Sequence, residues 1–212
     1  GGSFTGMGGR VEITAAHEDG KADYSAEVAA LAAAGADALV VFGYVDQGGK
    51  GIIQTSLDTG AYDMFFMADG MVGQTLIDAI GSGLTGSVAT LPGSDSPGAA
   101  KFLEVSAAAG NDGDGPFRGE SYDAAALIML AIQAAGTPDR AAIQAKLMDV
   151  ANAPGERIYP GELGKALKIL ASGGEVDYVG ASNVELTEVG EAAGSYKELE
   201  VQGGKFETKS IR

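Results

Sequence analysis

Apolar positions between residues 38 and 70 come as short solid runs, each followed by apolar residues at helical spacing. Residues 38–42 (ALVVF) are wholly apolar and rich in β-branched side chains, the pattern of a strand buried on both faces of a parallel sheet. The run breaks at Gly43-Tyr44-Val45-Asp46; Ile52, Ile53 and Leu57 then mark a helix, and Gly60 its stop. Residues 64–67 (MFFM) repeat the design and end at Ala68-Asp69-Gly70, after which Val72, Leu76, Ile77 and Ile80 give another helix its apolar side.

The flanks extend the series. Residues 11–16 (VEITAA) read as a strand, and Asp23 caps a helix over 24–34 with Tyr24, Val28 and Leu31 on one side. Residues 86–91 supply a fourth strand. The resulting β-α-β-α-β-α-β order predicts an α/β fold, a parallel sheet with right-handed crossovers. Ligands of such sheets bind outside the carboxyl ends of the strands. Tyr44 and Asp69, with Gly43 and Gly70 beside them, stand at two adjacent ends and form the candidate ligand-binding site.

The pattern changes at Pro92. Residues 92–98 (PGSDSPG) read as a linker, followed by helical patterns over 99–109, 122–135 and 139–150 with no strong strand between them. Residues 153–160 are turn-rich, 162–171 a short helix, and 196–201 with 205–210 a terminal hairpin around Gln202-Gly203-Gly204. The expected division is a parallel βα lobe over 1–91, helices of another, incomplete lobe over 92–180, and a return crossover with closing strands over 181–212.

Composition narrows the function. A hydrophobic fraction of 45% and 212 residues suffice for a core. With 29 acidic against 14 basic residues, the net charge of −15 argues against nucleic-acid and anionic-membrane partners and is consistent with saline surroundings. No apolar run reaches the roughly 18–20 residues that span a bilayer, so the chain is expected not to cross one. There is no cysteine, and the opening Gly1-Gly2-Ser3-Phe4 carries no leader pattern, so no signal peptide is expected within it.

Several apparent motifs fail on context. Gly81-Ser82-Gly83-Leu84-Thr85-Gly86 spells G-x-G-x-x-G, yet it follows a helix and precedes a strand, the reverse of the dinucleotide fingerprint. Asn111-Asp112-Gly113-Asp114 resembles a calcium loop, but Pro116 and Asp123 occupy positions that break it, leaving an exposed acidic loop. His17, the single histidine, follows a strand; it can touch a ligand or serve the structure. Asp46 and Ser121 read as helix caps, while Phe117 and Tyr122 flank the linker between helices, where they can pack near a hinge or touch a ligand. Nothing marks a cofactor, a metal site or a catalytic nucleophile, and no enzyme is expected.

The strings GADALVVFGY, YDMFFMADG, GSVATLP, the Tyr122-Asp123 helix, IYPGELGKAL, VDYVGASNVELTEVGE and SYKELEVQGGKF together resemble the type I periplasmic solute-binding proteins, especially the leucine/isoleucine/valine binders of ABC importers. The likeness spans the chain but only the latter part of a family member, so it implies a fragment, with a signal peptide and most of the first lobe upstream. It implies a periplasmic or extracytoplasmic protein that holds a small neutral amino acid between two lobes, closes on a hinge and engages a membrane permease. Carried over by position, Tyr44 follows the Gly43 turn and Asp69 meets the ligand's ammonium; leucine-type members often have Glu there. Two rivals stand beside this reading: a ligand-sensing effector domain of a regulator or receptor with the same fold, and an unrelated α/β enzyme.

Overall fold

In a computed structural model, which describes residues 2–111, 113 and 116–212, the chain forms two units. Unit 1 comprises Gly1–Leu91 and Glu198–Ser210; unit 2 comprises Pro92–Lys197 with Ile211–Arg212.

Unit 1 is built on a five-stranded sheet. After a short helix, α1 (Gly2–Gly6), and α2 (Ser25–Ala32), the chain runs through β1 (Leu39–Val41), α3 (Gly49–Thr59), β2 (Phe65–Met67), α4 (Gln74–Ile80) and β3 (Val88–Pro92). The hairpin β6 (Tyr196–Gln202) and β7 (Lys205–Ile211) completes the order β1-β2-β3-β6-β7. β1 to β3 are parallel, with Leu39 opposite Phe65 and Phe66 opposite Val88. β6 runs against β3: the Gly86 N–H bonds the Val201 carbonyl and the Gly93 N–H the Ser195 carbonyl, at 2.9 and 3.0 Å. Gly203 and Gly204, with φ of 57° and 75°, make the left-handed two-residue turn that matches the twist of a hairpin.

Leu39, Val41, Phe65, Met67 and Ala89 point into a core with Val28 of α2, Ile52 and Ile53 of α3, and Leu76 and Ile77 of α4. The alternate residues do not. Val40, Phe42 and Phe66 are 54, 78 and 44% exposed, so the expectation of strands buried on both faces is corrected. Successive right-handed crossovers in one direction along the sheet lay their helices on one side only.

Three further expectations change. Residues 11–16 form no strand; Val11 and Ile13 are exposed, because alternation gives a segment a face but no pairing partner. α4 begins at Gln74 after Gly73, not directly after Asp69, and Val72 precedes it. Neither Asp46, inside a 3-10 turn at Val45–Gln47, nor any other side chain caps α3. Gly60 does stop α3, in the left-handed conformation, with the Ala61 N–H closing on the Ser56 carbonyl.

Unit 2 contains α5 (Pro97–Ala108), α6 (Arg118–Ala135), α7 (Arg140–Ala151), β4 (Glu156–Ile158), α8 (Leu163–Ala171) and β5 (Val176–Tyr178). Ser96 and Asp139 cap α5 and α7 through bonds to the N–H groups of Ala99 and Ala142. Ser121 caps nothing, since α6 starts three residues earlier behind Phe117. The turn-rich stretch hides β4, which pairs in parallel with β5 and packs against Leu130, Val150 and Ala166. Asp112 and Asp114 of the expected acidic loop lie outside the described residues.

One buried charge ties unit 2 together. Asp123 on α6 is 2% exposed, and its carboxylate accepts from the Tyr178 hydroxyl, the Ala181 and Ser182 N–H groups and the Ser182 hydroxyl, at 2.6–2.8 Å. Four donors offset the desolvation of the charge. Gly180, at φ 60°, makes room: a Cβ there would lie 2.5 Å from Asp123 Oδ1. Burial foremost, and then the neighbouring carboxylate, push the Tyr178 phenol far above its ordinary pKa.

Candidate functional site

The residues that follow β1 and β2 emerge side by side because the strands are parallel neighbours with Val41 opposite Met67. The Ala68 N–H bonds the Val41 carbonyl at 3.2 Å, which holds the two ends together. Beyond β1, the Tyr44 carbonyl accepts from Gln47 and Gly49 and folds the chain into the turn that leads to α3. Beyond β2, residues Asp69–Met71 make a single 3-10 turn.

Gly43, Tyr44, Asp69 and Gly70 therefore meet. A Cβ on Gly70 would stand 2.5 Å from the Gly43 carbonyl oxygen and 2.9 Å from the Tyr44 ring, so the bare backbone of Gly70 is what lets the ring lie there. The ring is 63% exposed. Asp69 is half-buried; Oδ1 accepts from the Gly70 N–H at 2.7 Å, and Oδ2 bonds no described residue. No described Lys or Arg pairs with this carboxylate. A half-buried carboxylate with a free oxygen beside a phenol ring can take an ammonium by a charge-assisted hydrogen bond, with the ring covering the ligand's apolar part.

His17 joins this group, which the sequence left open. Its Nε2 is 3.4 Å from where a Gly43 Cβ would be, and its ring meets Tyr24 edge-on at 6.1 Å. The Nδ1 atom is buried without a hydrogen bond, 3.8 Å from Asp19. Tyr24 anchors the segment, its hydroxyl bonding the Glu18 carbonyl and the Lys21 N–H, and it passes Gly48 where a Cβ would be 2.3 Å away. In unit 2, Phe117 has φ 60°, and Tyr122 packs on Phe102 while its hydroxyl accepts from the Gly161 N–H. Among the described residues no cluster of His, Asp and Glu could hold a metal, and no helix is long and apolar enough to cross a membrane.

Residues 2–161 match the sequence profile of the family described as periplasmic binding protein. The chain belongs to this family. Members are solute-binding proteins that take small-molecule ligands, and the arrangement of sheet and helices is the type I periplasmic-binding-protein fold. A leucine-binding protein, LivK, from Thermotoga maritima superposes with a TM-score of 0.73 at 23% identity, over 99% of this chain and 54% of its own. An ABC-transporter solute-binding protein from R. palustris, in complex with 4-hydroxybenzoate, gives 0.70 at 18% identity, over 100% of this chain and 54% of its own. The chain thus spans about half the length of these periplasmic binding proteins. The substrate-binding protein BasB of a chemotactic signal transduction system in Halobacterium salinarum is 33% identical over 97 residues, which are 45% of this chain and 24% of that protein.

Proposed function

We propose that the chain is part of an extracytoplasmic solute-binding protein of an ABC importer, and that its ligand is a small neutral amino acid, branched-chain first among them. One observation carries the reading: the exposed Tyr44 ring seated on Gly70 next to a carboxylate with a free oxygen, at the carboxyl ends of adjacent parallel strands. Asp69 would hold the ligand's ammonium, Tyr44 would cover its body, and the Gly43 and Gly70 backbones would shape the floor. On this reading the 212 residues belong to a longer protein of the relatives' length, in which two lobes close on a hinge around the ligand and present the closed form to a permease.

Thermal melts with leucine, isoleucine and valine test this. A ligand at 100 times its Kd stabilises by about 2.7 kcal/mol. The shift should appear with these amino acids and vanish in Asp69→Ala; a shift only with organic acids, unchanged by that substitution, overturns the amino-acid reading. The likeness to BasB supports a second reading, in which the bound form addresses a signalling receptor rather than a permease. Capture of membrane partners on the liganded protein separates the two.

A further inference from the structure

A cavity of about 520 Å³ opens within unit 2, inside the range of small-molecule sites. One wall is the apolar face of α5, Ala99, Phe102 and Leu103, and its polar groups include Arg118, Lys197 and Glu120. The two cations are out of keeping with a chain of net charge −15. Among the described residues neither has a carboxylate within ion-pair distance.

Arg118 is fixed in place. Its guanidinium lies 5.7 Å from the centre of the Phe102 ring, and one terminal nitrogen donates to the Ser106 hydroxyl at 2.5 Å and to the Asn111 carbonyl. Its Nε is buried and bonds no described residue. Its described acceptors are neutral, so among the described residues its charge has no opposite partner, and the guanidinium keeps a donor of the kind that grips a carboxylate. The Lys197 stem lies against Gly93, where a Cβ would be 2.6 Å from Lys197 Cε, so its side chain too is confined at the cavity. Among the described lining residues Glu120 lowers the charge to about one positive unit, which a monoanion neutralises.

We propose that this cavity binds a small monocarboxylate with a flat apolar body, the carboxylate taken by Arg118 and Lys197 and the body laid along α5 at Phe102 and Leu103. It is separate from the site at Tyr44 and Asp69 and does not depend on the amino-acid reading.

The test is a calorimetric titration of the 212-residue chain with phenylacetate, and with phenylacetamide, which has the same shape and no charge. Phenylacetate should bind saturably, the amide at least tenfold more weakly, and Lys197→Gln and Arg118→Gln should each weaken phenylacetate about tenfold, the loss of one charge-assisted bond. Lys197 makes no hydrogen bond that a fold defect would follow from, so its variant stays informative if Arg118→Gln destabilises the chain. Asp69→Ala should leave phenylacetate binding unchanged, so that failure here and failure of the amino-acid reading remain distinguishable. No binding to the parent chain, equal binding of the amide, or full affinity in Lys197→Gln overturns the proposal.

Discussion

Tyr178 donates its phenolic hydrogen to Asp123 Oδ1 at 2.8 Å, joining the end of β5 to the first turns of α6. Asp123→Ala would leave four buried or part-buried donors without their acceptor and should cost about 3 kcal/mol or more, measured by urea unfolding. Tyr178→Phe removes one donor of four and should cost about 1–2 kcal/mol. The phenol's pKa is raised in the fold, by burial and then by Asp123, above its ordinary 10.0. The folded chain therefore keeps a proton that the unfolded chain releases near that value. This contribution to stability is complete below about pH 10 and drains away as the pH climbs further. Tyr178→Phe should flatten that alkaline decline; an unchanged slope would remove Tyr178 as its source.

Gly70→Ala probes the seat of the Tyr44 ring. The added methyl would overlap the Gly43 carbonyl and the ring. Because one of these is backbone, the two turns must part, at a cost of about 1–3 kcal/mol. If Tyr44 covers the ligand as proposed, ligand affinity should fall at least as far as in Tyr44→Ala. A variant with unchanged melting and unchanged ligand response would show that the two turns are not in contact.

The bare face of the sheet should make the isolated chain associate. Val40, Phe42 and Phe66 are exposed together with a groove reaching Val88 and Thr90, and covering a large apolar side chain contributes about 1.5–3 kcal/mol. Sedimentation velocity should show mass rising with concentration, and Val40→Thr with Phe66→Thr should suppress it. A parent chain that remains monomeric at high concentration would count against this.

Salt should stabilise the fold. A net charge of −15 repels itself, and added salt shortens the reach of that repulsion from about 30 Å at 0.01 M to about 3 Å at 1 M. Each kcal/mol so relieved raises Tm by about 2–4 °C at this chain length. Tm should climb steadily with sodium chloride, and less so when exposed carboxylates are replaced by amides.

The sequence exposed the parts of the fold whose signal is local. Solid apolar runs located β1 and β2, Gly60 located the end of α3, and Gly203-Gly204 the final turn, because each depends on its own few residues. It did not expose what depends on partners. β4 is three residues inside a turn-rich stretch and exists only because β5 lies beside it; residues 11–16 have the pattern of a strand and no mate. The open face of β1 and β2 follows from the direction of the crossovers, which no single strand records. At the site, the positions of Tyr44 and Asp69 were legible from strand ends. The contact of Gly70 with the Tyr44 ring, the approach of His17 to Gly43 and the role of Asp123 rest on tertiary packing, and a lone histidine or aspartate in a sequence does not announce it.

The pairing of β6 with β3 has a consequence for how the molecule is made. Ser87 bonds to Val201, so the sheet of unit 1 gains its last two strands only after the roughly hundred residues between β3 and β6 have been synthesised. On the ribosome β3 waits as a temporary edge while the intervening helices assemble, and contacts so distant in sequence form slowly. The hairpin then acts as a late latch on unit 1. Truncation before Tyr196 would leave every residue of the candidate ligand site in place and yet strip two strands from the sheet that carries it.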